Sequence, residues 1–366
     1  MGSKIRLTMY IKTENLDTAL IAVCQALSRN GIEVQRRNFK CLEIPSAVII
    51  EITNPTNRYV HIPERKWNKT LGWVESLWIA SGDNHLEMPA AYVKNLKNFS
   101  DDGLHMRAGY GPRIRRFGDN YEAMNYNFID YTFYRQYKGA GIGASQEKTD
   151  QLRFVIEKFN EDINTREAVI SIADPVADDF DAQAAKINGK SGLLVTKDTP
   201  CTRSIHFMVV NGKMNCYVDM RSNDVIWGFS AVNVFNFTLM QEYVAAMVGV
   251  PVGSYFHKVD NLHVYEDFWP LVKQIAQLDV ESFATHLEFT YPNTHFSLDE
   301  FDANIQALLK FEKSCREGII TSKEEALIHL TSSLNPLFLD WGRVFLRYWL
   351  KEPVEFYNPL LNDLFR

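Results

Sequence analysis

Residues 203–221 read "RSIHFMVVNGKMNCYVDMR", and this stretch predicts a β-hairpin. Two strand-like runs flank Asn211 and Gly212, and both of these residues tolerate the positive φ angles of a type I′ turn. Asn-Gly between two such runs is the strongest short hairpin signal that a sequence offers. The second strand therefore ends near Arg221.

The hairpin leads into a polar cluster at the border of a strongly apolar region. The cluster lies in "SNDVIWGFSAVN" (222–233) and consists of Ser222, Asp224 and Asn233, next to Arg221. The run that follows has apolar residues at helical spacing, so Asn233 stands at the entrance of a buried helix. A buried polar group without a hydrogen bond costs roughly 2–7 kcal/mol. These side chains therefore satisfy one another or bind something outside the chain.

The composition is that of a folded soluble protein. Hydrophobic residues make up 46% of the 366 residues and charged residues 23%, so the chain can build a large core. The net charge of −6 argues against a nucleic-acid polymer as the main partner. The five cysteines include no C-x-x-C pair, and we expect neither a disulfide framework nor a metal site. No signal peptide or membrane-length apolar run is recognisable, so we expect a cytoplasmic protein that makes no membrane contact.

The chain changes character near residue 268. Strand-like and helical segments alternate before it, and residues 117–150 form an aromatic, glycine-punctuated insertion or long loop. Two later serine–glutamate pairs have capping-box spacing, namely Ser297 with Glu300 and Ser322 with Glu325. We therefore predict one domain over 1–268 and a mostly helical region over 269–366.

Two residues outside the cluster are candidates for reactive side chains. Cys201 directly precedes the hairpin, and a lone cysteine is most often a small hydrophobe. However, Arg203 and Arg221 are close to it in the predicted hairpin, and cations lower a thiol pKa. Glu75 lies inside the apolar helix "LGWVESLWIA" (71–80), where it either snorkels from a partly exposed face or serves proton chemistry.

Taken in order, these motifs resemble the thymidylate synthase family, including its phage hydroxymethylase branch. The motifs are Glu75 in "ESLWIASGDN", Tyr110 in "GYG", Arg166 in "NTREAVIS", Cys201 in "PCT", "RSND" (221–224) with Gly228 and Asn233, and "HVY" (263–265). The resemblance covers roughly residues 30–268 and implies an α+β fold, with a large twisted mixed sheet and surrounding helices. It makes 1–268 the catalytic domain, with 269–366 as a helical C-terminal extension.

The resemblance also implies a reaction. The family transfers a one-carbon unit from 5,10-methylenetetrahydrofolate to C5 of a pyrimidine nucleotide. Cys201 would be the nucleophile that adds to C6 of the base and activates C5. Glu75 and Tyr110 would move protons around the base, and Asp224 would bind the folate ring. Gly228, Leu96 and Phe99 complete the expected folate site, the last two in place of a pair of tryptophans.

The nucleotide would be held by a second set of residues. Arg221 and Ser222 would bind the 5′-phosphate, with help from the mobile-loop residue Arg37, for which Arg36 is a competitor. Arg166 would reach the phosphate from the partner subunit of a homodimer. His263 and Tyr265 would bind the sugar 3′-hydroxyl.

Asn233 bears on which base is bound. An amide can donate to O4 and accept from N3–H of uracil, so Asn233 favours dUMP over dCMP. However, "GFSAVN" (228–233) is one residue longer than the usual family spacing, which leaves the placement of this side chain open.

The departures from the family pattern bear on the product. Thr202 follows Cys201 where synthases usually have histidine, and Glu167 replaces one of two arginines. Neither the paired tryptophans nor the synthase's C-terminal tail, which help to exclude water, are recognisable. Water would then complete the product, and we expect 5-hydroxymethyl-dUMP.

Three alternatives stay open. One is a divergent thymidylate synthase that methylates dUMP, and another is a dCMP methylase or hydroxymethylase. The third is an inactive nucleotide-binding homologue that serves as an interaction module. An enzyme encoded by a phage would act in the host cytoplasm.

Overall fold

The structure is a computed structural model of the 366-residue chain. It describes residues 8–36, 39–118, 149–179, 193–284, 287, 289–292, 295–331 and 334–366. The predicted insertion over 117–150 therefore lies almost entirely outside the described residues.

Strands and helices are mixed along the chain. The strands are β1 (Met9–Thr13), β2 (Ile32–Arg36), β3 (Phe39–Glu43), β4 (Val48–Ile52), β5 (Val169–Ser171), β6 (Thr202–Val210), β7 (Lys213–Met220), β8 (Asn223–Asp224), β9 (Val252–Val259) and β10 (Leu262–Tyr265). The helices are α1 (Leu16–Asn30), α2 (Leu71–Ala80), α3 (Glu87–Tyr92), α4 (Tyr110–Arg115), α5 (Gln151–Glu161), α6 (Pro175–Asp178), α7 (Val234–Val248), α8 (Trp269–Ile275), α9 (Leu298–Arg316), α10 (Lys323–Thr331), α11 (Pro336–Leu350) and α12 (Pro359–Leu364). A π-helix (Val225–Asn233) precedes α7, and short 3₁₀ turns cover Pro63–Arg65, Lys94–Phe99, Glu266–Phe268 and Val280–Phe283.

Two sheets form the β part of the fold. The larger has the strand order β1-β4-β9-β7-β6-β5 and is mixed, since β1 pairs with β4 and β7 pairs with β9 in parallel while its other pairs are antiparallel. The smaller has the order β2-β3-β10-β8. The predicted α+β fold with a mixed sheet is thus observed.

The predicted hairpin is confirmed. Strands β6 and β7 pair antiparallel from Thr202 opposite Met220 to Val210 opposite Lys213. Asn211 and Gly212 form the turn with φ angles of 50° and 74°, which is the left-handed conformation that a type I′ turn requires.

Helix α7 lies in the centre of the core. Its side chains are buried on every side and not along one stripe, and even Gln241 is fully buried. The Gln241 amide donates to the backbone oxygens of Met214, Gly253 and Ser254, and so ties α7 to the inner face of the large sheet. The amide nitrogen of this buried side chain is therefore satisfied by strand backbone, whereas its Oε1 has no hydrogen-bond partner among the described residues.

The C-terminal helices join the same apolar core. Ser297 and Glu300 form the predicted capping box at the start of α9. The Trp341 indole nitrogen on α11 donates to the Trp73 backbone oxygen on α2 at 2.8 Å. The described helices include none long and apolar enough to cross a membrane.

Candidate active site

The thiol of Cys201 lies beside a guanidinium group. Hairpin pairing brings Arg221, at the end of β7, next to Cys201, just before β6, and the Arg221 amide donates to the Cys201 carbonyl at 2.9 Å. An Arg221 side-chain nitrogen is 3.7 Å from Cys201 Sγ. The same side chain donates to the carbonyl oxygens of Pro200 and Thr199, at 2.9 and 3.0 Å. Arg203, the other cation near Cys201 in sequence, is exposed on β6.

The environment of Cys201 acts on its pKa in two directions. Burial raises the pKa of the thiol, Arg221 lowers it, and Asp198 raises it further. The net shift is upward, so the neighbouring cation reduces the cost of burial without overcoming it. Cys201 is nevertheless the one part-exposed cysteine, because Cys24, Cys41, Cys216 and Cys315 are buried.

Tyr110 closes the thiol side of the site. Its hydroxyl accepts hydrogen bonds from the backbone amide and hydroxyl of Thr202, at 3.3 and 2.9 Å. Its ring stacks on Phe237 of α7, with centroids 6.1 Å apart. Burial, followed by the neighbouring Cys201, raises the Tyr110 pKa, so the phenol stays protonated at neutral pH. Thr202, where synthases usually have histidine, therefore serves as the anchor of Tyr110.

Glu75 has a pKa close to neutral pH. Burial raises the pKa of Glu75 to about 7, and a hydrogen bond with the side chain of Asn236 opposes that rise. The Asn236 oxygen accepts from Ser76 at 2.8 Å, which turns the amide nitrogen toward Glu75. The sequence left open whether Glu75 snorkels from a partly exposed face or serves proton chemistry, and the side chain is part-exposed in the structure. A carboxyl group with this pKa can exchange a proton near neutral pH, and that role stays a prediction.

Asp224 caps the π-helix and keeps one oxygen free. Its Oδ1 accepts from the backbone amides of Ile226, at 2.8 Å, and Trp227. Its Oδ2 is buried and has no hydrogen-bond partner among the described residues. Burial raises the pKa of Asp224. A ligand with N–H groups would satisfy this orphaned oxygen, so the residues present fit a folate ring.

The π-helix positions Asn233. The amide of Val234 bonds to the carbonyl of Phe229, five residues back, so the turn accommodates the extra residue noted in the sequence. Asn233 is 9% exposed, and its amide nitrogen meets only the Met220 sulfur, at 3.9 Å, among the described side chains. The side chain therefore keeps its hydrogen-bonding capacity for a ligand.

Two polar side chains stabilise the π-helix. The Ser230 hydroxyl donates to the carbonyl of Val225 at 2.7 Å. Arg65 donates to the Ile226 carbonyl at 2.6 Å and to the Ser230 hydroxyl at 3.0 Å. These contacts satisfy groups that the wider helix leaves without regular α-helical partners.

Ser222 belongs to a hydrogen-bond network that reaches β2. Its hydroxyl donates to Asn261 at 3.3 Å, and Asn261 in turn donates to Glu43 at 2.9 Å. Glu43 accepts two bonds from Arg36, at 2.9 and 2.8 Å. Arg36 is thus engaged by a carboxylate, and Arg37 lies outside the described residues.

His263 and Tyr265 lie on β10, which pairs in parallel with β8 so that His263 is opposite Asp224. His263 is 7% exposed, and its ring meets that of Tyr265 edge to face at 5.2 Å. The pair therefore lies at the side of the site where Ser222 and Asp224 precede the π-helix.

Three other predicted residues lie apart from this group. Arg166 is exposed just before β5, and its backbone forms a hydrogen bond with the side chain of His206, near the middle of β6. At about 3.3 Å per strand residue, the five residues from Cys201 to His206 span roughly 16 Å, so Arg166 is not part of the group around Cys201 of the same chain. Phe99 is 58% exposed, and Leu96 is half-buried against the core. Their folate contacts stay a prediction.

The sequence analysis did not predict the residues that position the site residues through hydrogen bonds. The hydrogen bonds described above are made by Ser76, Asn236, Ser230, Arg65 and Thr202. Ser76, Ser230 and Thr202 stand inside the quoted motifs but were assigned no role there, and Arg65 and Asn236 stand outside them. The one available signal was position, since Asn236 follows Asn233 by about one helical turn and Ser76 adjoins Glu75.

The α+β fold thus brings a part-buried thiol beside an arginine. Nearby side chains include a carboxyl group with a raised pKa and a buried carboxylate oxygen that has no partner among the described residues. The thymidylate synthase family model matches residues 22–313. The chain belongs to the thymidylate synthase family, which confirms the predicted family.

Two similar relatives come from phages. The chain is 35% identical over 220 residues to a deoxyuridylate hydroxymethyltransferase of Bacillus phage SP01, covering 60% of this chain and 49% of the relative. It is 30% identical over 269 residues to a deoxyuridylate hydroxymethyltransferase of Pseudomonas phage M6, covering 73% and 65%. The chain thus spans about half to two thirds of these relatives.

A solved structure agrees on the fold. Thermostable thymidylate synthase A from Bacillus subtilis matches with a TM-score of 0.51 and 18% identity, covering 72% of this chain and 85% of that one. At this identity the match shows the fold alone.

Proposed function

We propose that the protein transfers a one-carbon unit to C5 of dUMP and yields 5-hydroxymethyl-dUMP. The observation that carries the proposal is the 3.7 Å contact between the Arg221 guanidinium and the Cys201 sulfur. An isolated packed cysteine has no need of such a neighbour, whereas a nucleophile that must ionise does. The two named phage relatives are deoxyuridylate hydroxymethyltransferases, which supports dUMP and the hydroxymethyl product.

Arg221 and Ser222 would bind the phosphate, and this supports the chemistry at Cys201. The Arg221 side chain is fixed by the carbonyls of Pro200 and Thr199, so its fork is oriented before a ligand arrives. Because burial raises the thiol pKa, the thiol is mostly protonated in the free protein. It must therefore lose its proton as it adds to C6 of the base.

Glu75 is the proposed site of proton exchange during the reaction. Its pKa of about 7 lets it accept or donate a proton at neutral pH. Asn236 and Ser76 would hold the carboxyl in place, and Tyr110 would take part in removing the C5 proton. Tyr110 stays a neutral phenol in the free protein, so it acts as a hydrogen-bonding relay and not as a strong base.

Asp224 would hold the folate. Its free Oδ2 can accept from the N–H groups of the pterin, while Oδ1 remains bound to the start of the π-helix. When bound, 5,10-methylenetetrahydrofolate supplies a one-carbon unit that water completes to a hydroxymethyl group with no change in folate oxidation state. The Gly228 backbone, Leu96 and Phe99 are the further proposed contacts.

A homodimer accounts for Arg166. This residue is exposed beside His206 and is not part of the group around Cys201 of its own chain, so it would serve the site of the partner subunit. The outer face of the large sheet supports this arrangement, because Tyr217 and Phe256 stack there with centroids 4.7 Å apart. His206 Nε2 and Asp219 Oδ1 also have no hydrogen-bond partner among the described residues, although both atoms are buried.

The test is a covalent complex. Incubation with 5-fluoro-dUMP and methylenetetrahydrofolate should give one adduct per chain by intact-mass spectrometry, mapped to Cys201. The Cys201→Ser variant should give none. A wild-type protein that binds dUMP but forms no adduct would instead be the inactive binding homologue.

Product analysis separates the remaining alternatives. Mass spectrometry of the product from dUMP or dCMP reports a gain of CH2O or of CH2, and on which base. Gain of CH2 on dUMP would make the protein a thymidylate synthase, and turnover of dCMP alone would overturn the assignment of the base.

A further inference from the structure

Three buried polar side chains beneath the π-helix form a hydrogen-bonded chain that the proposed reaction does not use. The Tyr255 hydroxyl is 2.7 Å from His257 Nδ1, and His257 Nε2 is 2.9 Å from the Asn223 side-chain oxygen. Tyr255 and His257 are fully buried on the inner face of β9, and Asn223 on β8 is 3% exposed. The ring of His257 packs edge to face on Phe229 of the π-helix, with centroids 5.2 Å apart.

The hydrogen bonds among these three side chains all donate in one direction. Burial lowers the pKa of His257 to about 3, so the imidazole is neutral and carries one N–H. The Asn223 oxygen can only accept, which places that hydrogen on Nε2. Nδ1 then accepts from the Tyr255 hydroxyl. The order of donation is therefore Tyr255 to His257 to Asn223.

The contact with His257 also shows which end of the Asn223 amide faces the site. With its oxygen bound to His257, Asn223 turns its nitrogen toward Gly228. A Cβ on Gly228 would be 2.2 Å from that nitrogen and 3.2 Å from the side-chain nitrogen of Asn233. Asn223 thus presents a donor, and not an acceptor, to the neighbourhood of the Asn233 amide.

We propose that Tyr255 and His257 are positioning residues for base recognition, which hold Asn223 so that it cannot accept a hydrogen bond from Asn233. This inference rests on the proposed function of Asn233. If the Asn223 amide turned over, its oxygen would compete for the Asn233 N–H that uracil O4 needs. The fixed amide therefore keeps Asn233 available and favours uracil over cytosine.

The decisive comparison uses two variants. Tyr255→Phe/His257→Phe removes both polar partners and leaves the Asn223 oxygen free to accept from Asn233. We expect the ratio of kcat/KM for dUMP to that for dCMP to fall at least about tenfold, together with weaker dUMP binding by calorimetry. Adding Asn223→Ala removes the competing oxygen, so the ratio should return to within about threefold of wild type. A merely structural role predicts the opposite, since a further truncation would worsen the defect.

A control and a spectroscopic measurement complete the test. Tyr291→Phe loses one hydrogen bond of a buried tyrosine, to Asp340, and should leave the ratio unchanged. In the wild-type protein, histidine-selective ¹⁵N NMR should show one ring, absent in His257→Phe, as the Nε2–H tautomer without titration between pH 5 and 8. This readout needs neither turnover nor a folded double variant.

The outcomes separate the two proposals. An Nδ1–H tautomer, an unchanged ratio in the double variant or a triple variant without recovery would each overturn the inference while leaving the enzyme assignment intact. A wild-type protein that neither binds dUMP nor forms the 5-fluoro-dUMP adduct would overturn the function itself.

Discussion

The two halves of the candidate site are held by different means. In the thiol half, Cys201 and Arg221 are brought together by strand pairing, with a backbone hydrogen bond of 2.9 Å between them. In the base half, Asn233 is placed by a π-helix that depends on Ser230 and Arg65. Pairing register is local and robust, whereas the wider helix needs specific side-chain partners. Mutations should therefore disturb the base half more easily than the thiol half, and they should do so without displacing Cys201.

Loss of the proposed nucleophile is expected to have the largest effect. Cys201→Ser should abolish adduct formation and lower turnover by several orders of magnitude, because a serine hydroxyl at this position has no comparable tendency to ionise. Binding of dUMP, measured by calorimetry, should stay within about tenfold, since the thiol contributes chemistry more than ground-state affinity. Cys216→Ser at a fully buried position is the matched control and should keep turnover per folded molecule. Undiminished turnover in Cys201→Ser would contradict the covalent mechanism.

The next prediction concerns the base half alone. Asn233→Asp replaces the proposed donor to uracil O4 with an acceptor that suits the exocyclic amine of cytosine. The preference should shift toward dCMP by about 10- to 100-fold, measured as the ratio of the two kcat/KM values. Alkylation of Cys201 by iodoacetamide should not change. An unaltered preference would mean that another residue reads the base.

The thiol half could be predicted from sequence to a much greater extent than the base half. The Asn211-Gly212 turn fixed the register of the hairpin, and that register alone puts Arg221 beside Cys201. Capping of α9 by Ser297 was equally local. The hairpin and cap follow from residues a few positions apart, and such short-range signals are readable.

The remainder depends on contacts between distant segments. Arg65 reaches the Ile226 carbonyl from another part of the chain, and Trp341 reaches the Trp73 carbonyl from the C-terminal helices. No local pattern encodes such pairs. The extra residue before Asn233 was visible in the sequence, but its accommodation by a π-helix was not, because the helix type depends on these tertiary hydrogen bonds.

Glu75 gives a prediction for stability against pH. Its pKa of about 7 in the folded protein lies above the ordinary value of 4.5, so the folded state binds the proton more tightly. The resulting stability is present below about pH 4.5 and is lost as the pH rises through 7. The loss should reach about 2 kcal/mol, after allowance for the partial exposure of this side chain.

Chemical denaturation at pH 5 and pH 8 checks this. Glu75→Gln, which cannot ionise, should remove that part of the pH dependence, whereas Glu355→Gln at an exposed position should not. An identical pH dependence in wild type and Glu75→Gln would show that the carboxyl is solvated in the folded protein. Glu75 would then lose its proposed role in proton exchange near neutrality.

The smallest expected effect comes from a comparison of two serine variants that should lose similar amounts of stability. Ser230→Ala removes the donor to the Val225 carbonyl in the π-helix, and Ser297→Ala removes the cap of α9. Each should lower the free energy of unfolding by about 1 kcal/mol. Only Ser230→Ala should also reduce the preference for dUMP over dCMP, by about threefold, because the turn that carries Asn233 relaxes toward regular α-helix. The contrary outcome is that both variants lose the same free energy of unfolding and keep the wild-type preference for dUMP over dCMP. The π-helix would then be only a consequence of the extra residue, and the base half would be held as firmly as the thiol half.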